Sequence, residues 1–272
     1  MKGCTQSSSV VTTARTSFIW CLLAIFSGLT FQGYLKPSNS AFSFPWSRPR
    51  PDNTVQCAIA NYTARIIMHD PFMMHIENFI SADERAYLLS LREEFLHPSK
   101  IRLENGTAAL DSARNSSSTF LPWFDPVAQC IMHRAAELQG FVRIGAIENL
   151  QITAYEQGQK YSPHFDWFEE WTLPKGRSNR ASTFFAILEA DCTDCGTRFP
   201  RLQVDWSARD ARWCNFVDCN STQGLTIEAV PGAALFWRNI DSGGLGNKKT
   251  LHEGLPVNQG SKIGLNIWTH GS

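Results

Sequence analysis

The sequence has no surplus of either charge: 25 Lys and Arg balance 25 Asp and Glu, for a formal net charge of zero. A nucleic-acid partner calls for a basic face that neutralises phosphates, so this balance excludes that class. There is no run of one charge sign, which excludes an acidic or basic tail, and no internal repeat divides the chain. Long apolar runs are scarce too. The uncharged stretch at residues 17–31 (SFIWCLLAIFSGLTF) reaches the ~17-residue lower limit of a membrane span only when extended to Tyr34 and Leu35. Core-forming residues are plentiful, at 43% apolar and 12% aromatic, which excludes wholesale disorder. A length of 272 residues suits one large domain or two small ones.

Lys2 and Arg15 precede the apolar stretch and the next charge is Lys36. That order reads as a signal-anchor or signal peptide over 17–35. The uncleaved anchor is favoured, because no clean small-x-small site follows closely and Ser38-Asn39-Ser40-Ala41 is a weak one. Residues 1–16 are then a short cytoplasmic tail, 36–56 (KPSNSAFSFPWSRPRPDNTVQ) a Pro/Ser-rich stalk, and 57–272 a globular domain across the membrane. This type II arrangement places the domain in the lumen of the endoplasmic reticulum or another secretory compartment. Two further features agree with that side. Six of the eight cysteines follow the apolar stretch (Cys57, Cys130, Cys192, Cys195, Cys214 and Cys219), an even number suited to disulfides. Asn-x-Ser/Thr sequons follow it at Asn61, Asn105, Asn115 and Asn220.

Within the domain, residues 75–80 read as a strand. Ser81 caps a helix whose capping box closes at Glu84, with Leu88, Leu89, Leu91, Phe95 and Leu96 as its apolar stripe. Polar residues 99–119 read as a loop or hairpin. Asp125 and Pro126 open a second helix over 126–139, with Val127, Ile131 and Leu138 facing inward. Short strands are expected at 147–155, 183–189, 225–230, 233–238 and 262–269, separated by Gly, Pro and Asn turns. Helices first and many short strands after give an α+β, mainly β class: an antiparallel barrel or sandwich braced by N-terminal helices.

His164 and Asp166 follow a strand, and residues two apart in extended chain share a face, so both can hold one ion. With His252 they make two His and one carboxylate, which leaves positions open on iron(II). Lys262 opens the apolar strand Ile263-Gly264-Leu265-Asn266-Ile267-Trp268, where a buried ammonium calls for an anionic partner such as a dicarboxylate.

These residues sit in stretches that resemble the prolyl 4-hydroxylase family. The first is Gln151 to Asp166 (QITAYEQGQKYSPHFD). The second is Leu251 to Lys262 (LHEGLPVNQGSK). Gly196-Thr197-Arg198-Phe199-Pro200 and Asn78-Phe79-Ile80-Ser81 also fit, and the resemblance covers about residues 72–270 in order. It implies a double-stranded β-helix (jelly-roll) core with iron(II) on His164, Asp166 and His252. Lys262 would pair with the distal carboxylate of 2-oxoglutarate, to which Tyr155 and Thr197 would donate hydrogen bonds. Tyr161, Arg180, Trp268 and His270 match positions that contact peptide. It also implies O2 and ascorbate as co-reactants and a proline-rich peptide or protein as substrate. The activity implied is a procollagen-type prolyl 4-hydroxylation of proline-rich secretory proteins, giving 4-hydroxyproline, succinate and CO2. No catalytic group beyond the metal centre is needed. Hydroxylation of another residue or a small molecule, and a catalytically silent binding protein on the same fold, are the alternatives. The four intact residues His164, Asp166, His252 and Lys262 argue against the silent one.

The sequence departs from the family pattern at Asp194-Cys195-Gly196-Thr197 and in a Cys-containing insertion near 201–224. Cys192, Cys195, Cys214 and Cys219 are disulfide candidates with three possible pairings, Cys192–Cys219 with Cys195–Cys214 being one. Free thiols and zinc binding are the lesser alternatives. Phe165, Trp167, Phe168 and Trp171 are candidates for the hydrophobic mouth of the site, with ordinary core packing the favoured reading for Phe165. Residues 169–181 read as a loop that closes over peptide.

Overall fold

The computed structural model describes residues 57, 61–91, 96–102, 107–170, 172–173, 176 and 178–271. The tail at 1–16, the apolar segment at 17–35, the stalk at 36–56, the sequon at Asn105, and Phe95 and Trp171 lie outside them. No helix among the described residues is long and apolar enough to cross a membrane.

The chain runs β1 (Thr63–His69), β2 (Phe72–Glu77), α1 (Ala82–Ser90), β3 (His97–Pro98), β4 (Ile101–Arg102), β5 (Ala108–Ala109), β6 (Arg114–Asn115), β7 (Ser117–Phe120) and α2 (Pro126–Leu138). It continues through β8 (Gln151–Tyr155), β9 (Lys160–His164), β10 (Arg180–Ala190), β11 (Thr197–Phe199), β12 (Leu225–Ile227), β13 (Ala234–Arg238), β14 (His252–Gly254) and β15 (Lys262–His270). An eight-stranded sheet has the order β1-β2-β13-β10-β15-β8-β7-β3, and a five-stranded sheet the order β12-β11-β14-β9-β6. All named pairings are antiparallel.

The two helices start where their capping residues say. Ser81 accepts from the Glu84 backbone N–H while the Glu84 carboxylate accepts from Ser81 N–H, and Asp125 accepts from the Ala128 N–H ahead of Pro126. Glu84 also binds the buried Arg134 of α2 at 2.8 Å, and Arg134 donates to Phe79 O at 2.6 Å. Leu88 of α1 and Ala128, Ile131, Met132 and Ala135 of α2 join one buried cluster with Ile152, Phe184, Phe236 and Leu265 of the large sheet.

The central strands are apolar on both faces, and alternation divides their side chains between two jobs. Ile263, Leu265 and Ile267 of β15 face the helices, which leaves Lys262, Asn266 and Trp268 to the other face, where they line a cavity between the sheets. On β13, Ala234 and Phe236 join the helix-side cluster. Leu235 and Trp237 instead meet Phe199, Leu225 and Ile227 of the small sheet.

The loop or hairpin expected at 99–119 holds the antiparallel pair β4–β5 with β6 and the start of β7. Two expectations change. The small-sheet strands β9, β11 and β14 come from stretches too short and polar to read as strands. The disulfides are Cys57–Cys130, Cys192–Cys195 and Cys214–Cys219, so the Cys192–Cys219 and Cys195–Cys214 arrangement is not formed. The two local pairs belong to different places: Cys192 and Cys195 pack with Tyr155 and Val257, and Cys219 packs on the cluster around Phe199 and Trp237. No thiolate among these six is left for zinc.

Candidate metal centre and cosubstrate site

β9 and β14 are neighbours and put His164 directly opposite His252. Asp166 follows two residues after His164 and turns to the same side. One ligand atom from each lies within 4.8 Å of the other two. Asp166 Oδ1 is 3.8 Å from His164 Nε2 and Oδ2 is 3.8 Å from His252 Nε2.

Both imidazoles are held the same way. His164 Nδ1 lies 2.9 Å from Ser162 O, and His252 Nδ1 lies 2.9 Å from Thr250 O. A carbonyl only accepts, so each Nδ1 carries the proton and each Nε2 presents its lone pair inward. Burial pushes His164 down to about 3, which keeps it neutral. Burial alone would raise the Asp166 carboxyl, but positive charge on its neighbours, Arg180 among them, and the Thr183 hydrogen bond hold it below its usual value. Thr183 Oγ donates to Asp166 Oδ2 at 2.8 Å, and Asn239 Nδ2 donates to Thr183 Oγ at 2.9 Å. Such outer hydrogen bonds aim a ligand and tune its basicity.

Lys262 is 1% exposed. Its Nζ donates to the Cys195 and Gly196 carbonyls and sits 5.1 Å from the Tyr155 ring centre. No carboxylate pairs with it among the described residues, and burial pushes its pKa down to about 7. Tyr155, opposite Lys262 in the β8–β15 register, is raised to about 12 by burial and so keeps its O–H. Thr197 of β11 lines the same cavity.

Of the four expected peptide positions, Tyr161 stacks on His164 with ring centres 3.5 Å apart. Arg180, Trp268 and His270 gather around a residue the sequence did not reveal, Glu148. Arg180 binds Glu148 through two nitrogens at 2.6 and 2.9 Å, lies 3.8 Å over the Trp268 ring, and faces His270 across β10–β15. His270 Nε2 is 3.0 Å from Glu148. Burial opposes the charge on Glu148, but the hydrogen bonds from His270 and Arg180 lower its pKa to about 2. The bond to Glu148 raises that of His270.

Arg114 was also missed. It lines the cavity, lies 4.8 Å over the Tyr161 ring and donates to Gln151 at 3.0 Å. The expected aromatic mouth is not built as read. Phe165, Trp167 and Phe168 do not line the cavity; Tyr155, Tyr161, Phe185, Trp237 and Trp268 do. Alternation explains part of this: Phe165 and Trp167 are out of phase with His164 and Asp166, and they pack on each other at 4.6 Å. The near end of 169–181 is fastened, since Asn179 exchanges hydrogen bonds with the Phe168 backbone at 2.8 and 2.6 Å.

The donor set fits the group it would hold. Two imidazoles with Nε2 turned inward and one carboxylate suit iron(II) and leave coordination positions free, and a buried ammonium beside them, with no carboxylate partner among the described residues, suits a carboxylate. Residues 150–270 match the 2OG-Fe(II) oxygenase superfamily. Probable prolyl 4-hydroxylase 3 of Arabidopsis thaliana is 30% identical over 208 residues, covering 75% of this chain and 71% of that one. Prolyl 4-hydroxylase 5 of the same plant is 31% identical over 209 residues, covering 75% and 70%. The viral collagen prolyl hydroxylase of Paramecium bursaria Chlorella virus-1, solved with 2-oxoglutarate, has the same fold. Its TM-score is 0.52 at 22% identity, covering 74% of this chain and 96% of that one.

Fold and site together define a 2-oxoglutarate-dependent dioxygenase that uses iron(II), O2 and ascorbate. Within that class, the chain belongs to the prolyl 4-hydroxylase family.

Proposed function

We propose that this enzyme hydroxylates prolyl residues at C4 in proline-rich secretory proteins, in the procollagen-type reaction that also yields succinate and CO2. The observation that carries the reading is the pairing of the His164–Asp166–His252 cluster with a buried Lys262 that has no carboxylate partner among the described residues, in one cavity. His164, Asp166 and His252 would hold the metal and Lys262, Tyr155 and Thr197 the distal carboxylate of 2-oxoglutarate. Bound together, metal and cosubstrate supply the oxidising chemistry. The chain supplies the rest. Ser162 and Thr250 keep both Nε2 atoms aimed inward, Thr183 fixes Asp166, and Tyr161 and Trp268 wall the place where the prolyl ring would lie. Arg180 and His270, oriented by Glu148, present the peptide-facing edge.

α1 and α2 serve as the N-terminal brace of the jelly roll. Residues 1–16, 17–35 and 36–56 are read as tail, signal-anchor or signal peptide, and stalk, with the domain at 57–272 luminal in the secretory pathway. Three disulfides support that compartment, as do exposed sequon residues at Asn61, Asn115 and Asn220. The test incubates the purified full chain with iron(II), 2-oxoglutarate, ascorbate and a panel of proline-rich peptides. Peptide-stimulated succinate release, one added oxygen on proline by mass spectrometry, and a dead His164→Ala control are expected. Succinate release that no peptide stimulates would remove the proline assignment.

A further inference from the structure

A second cleft opens behind the Glu148 cluster, with a volume of about 1070 Å³. Phe120, Arg143, Ile144 and Ile147 line it, and Glu148 and His270 form its inner wall. That wall is shared. Trp268 lines the metal cavity, stacks under Arg180 and accepts from the Glu148 backbone N–H at 2.9 Å, while Glu148 and His270 look into the cleft. Linked Trp268, Glu148 and His270 thus stand between the metal cavity and the cleft.

The surroundings suit an extended, partly apolar chain. Phe120 is 55% exposed, and Trp123, Phe124 and Phe141 are 38%, 80% and 82% exposed. Four of the seven exposed large apolar side chains among the described residues thus lie on the cleft or within four residues in sequence of its lining residues Phe120 and Arg143. Phe141 has a φ of 64°, a left-handed backbone rarely held by a bulky residue, and it leaves the ring in solvent two positions before Arg143. Charge points the same way. Arg180 and His270 already neutralise Glu148. Arg143 is exposed and has no ion-pair partner among the described residues, so the outer end of the cleft carries an uncompensated positive charge.

We infer that this cleft is an extended subsite for the substrate polypeptide flanking the target proline, taking apolar residues against Phe120 and Ile144 and an acidic residue at Arg143. The inference rests on the peptidyl-proline reading above. An extended, proline-rich segment advances ~3.1 Å per residue with little ordering cost, so a few residues beyond the target reach the outer end.

The experiment uses the full chain and fluorescein-labelled proline-rich peptides, lengthened residue by residue toward either end and carrying Asp or Lys at each added position. Binding by anisotropy and hydroxylation kinetics are both measured. Lengthening toward one end only is expected to lower Kd and KM, with Asp preferred over Lys by about tenfold at one position. Arg143→Glu reverses that preference, and Phe120→Ala raises Kd for long peptides. Neither changes kcat or KM for the shortest peptide, which separates the cleft from the catalytic cavity. Equal effects on short and long peptides, or no gain from lengthening, overturn the inference. So does loss of phosphatidylserine-vesicle binding in Phe120→Ala with peptide affinity intact, which would make the aromatic rim a lipid contact. If long peptides bind as expected but gain no oxygen, the cleft stands and the hydroxylation reading fails.

Discussion

Replacing Lys262 by methionine should move stability and cosubstrate binding in opposite directions. The ammonium is 1% exposed, donates to two carbonyl oxygens and has no carboxylate partner among the described residues. Its pKa of about 7 lies below the usual 10.5, a difference worth roughly 5 kcal/mol. The unfolded chain holds that proton up to a higher pH than the folded one, so wild-type stability should rise as pH climbs from about 7 to 10.5, and the full cost applies below 7. Methionine has similar length and no charge. It removes the cost but strands the Cys195 and Gly196 carbonyls, which costs about 1–3 kcal/mol. A net gain of about 3 kcal/mol at pH 6–7 corresponds to a Tm increase of about 6–12 °C, and the rise in stability between pH 7 and 10.5 should vanish.

Binding should go the other way. A dicarboxylate whose distal end loses its ammonium is left with a buried, unpaired charge, a loss of about 3–5 kcal/mol, or 10²–10³-fold or more in Kd. Thermal unfolding across pH, with and without 2-oxoglutarate, and calorimetric titration of 2-oxoglutarate read both effects on the same protein. A variant that melts below wild type and binds 2-oxoglutarate within threefold of it would show that Lys262 is a structural residue, and the reasoning would be refuted.

Other parts of the structure give independent expectations. His75 is 1% exposed with neither ring nitrogen hydrogen-bonded, and burial, with Arg65 nearby, lowers its pKa to about 4. The folded protein should therefore lose up to roughly 3 kcal/mol as pH falls from 6.5 toward 4; His75→Phe, which keeps the stack on Phe216, should flatten that limb in acid-unfolding curves. Thr183→Ala should weaken metal binding about 10–100-fold by releasing Asp166, with Thr183→Ser restoring it, as followed by metal titration. Glu148→Gln should destabilise the fold by about 1–3 kcal/mol at pH 7 in urea unfolding, because Arg180 loses its charged partner. That contribution is complete above pH 4.5 and disappears as pH falls toward 2.

The parts of this fold that sequence reading reached share a physical property. β8, β10, β13 and β15 are buried on both faces, so they appear as apolar runs. The helix starts are legible because Ser81, Glu84, Asp125 and Pro126 act within their own turn. His164 and Asp166 are legible as a pair because period-two geometry is local. Glu148, Arg114, Thr183 and Asn239 are not. Glu148 finds Arg180 across 32 residues of sequence, and Asn239 finds Thr183 across 56. Each contact exists only after strand register has been set, and no local pattern encodes it. The short strands β9, β11 and β14 were missed for a related reason: residues that carry ligands and line a polar cavity cannot also show apolar alternation.

Register is therefore the point at which stability and function meet. A one-residue slip of β15 would carry Lys262 to the helix side and Ile263 into the cavity, because successive side chains face opposite ways. The same slip would move Gly264. There a Cβ would come within 2.3 Å of the Phe185 ring, and Phe185 itself lines the cavity. Phe185 pairs with Asn266 and its ring reaches diagonally over the bare backbone at 264, a fit that holds in only one pairing. Apolar burial of Ile263, Leu265 and Ile267 against the helices supplies the energy for that pairing. The ammonium of Lys262 is carried into the interior as a consequence, at a cost that a carboxylate bound there, as proposed above, would offset.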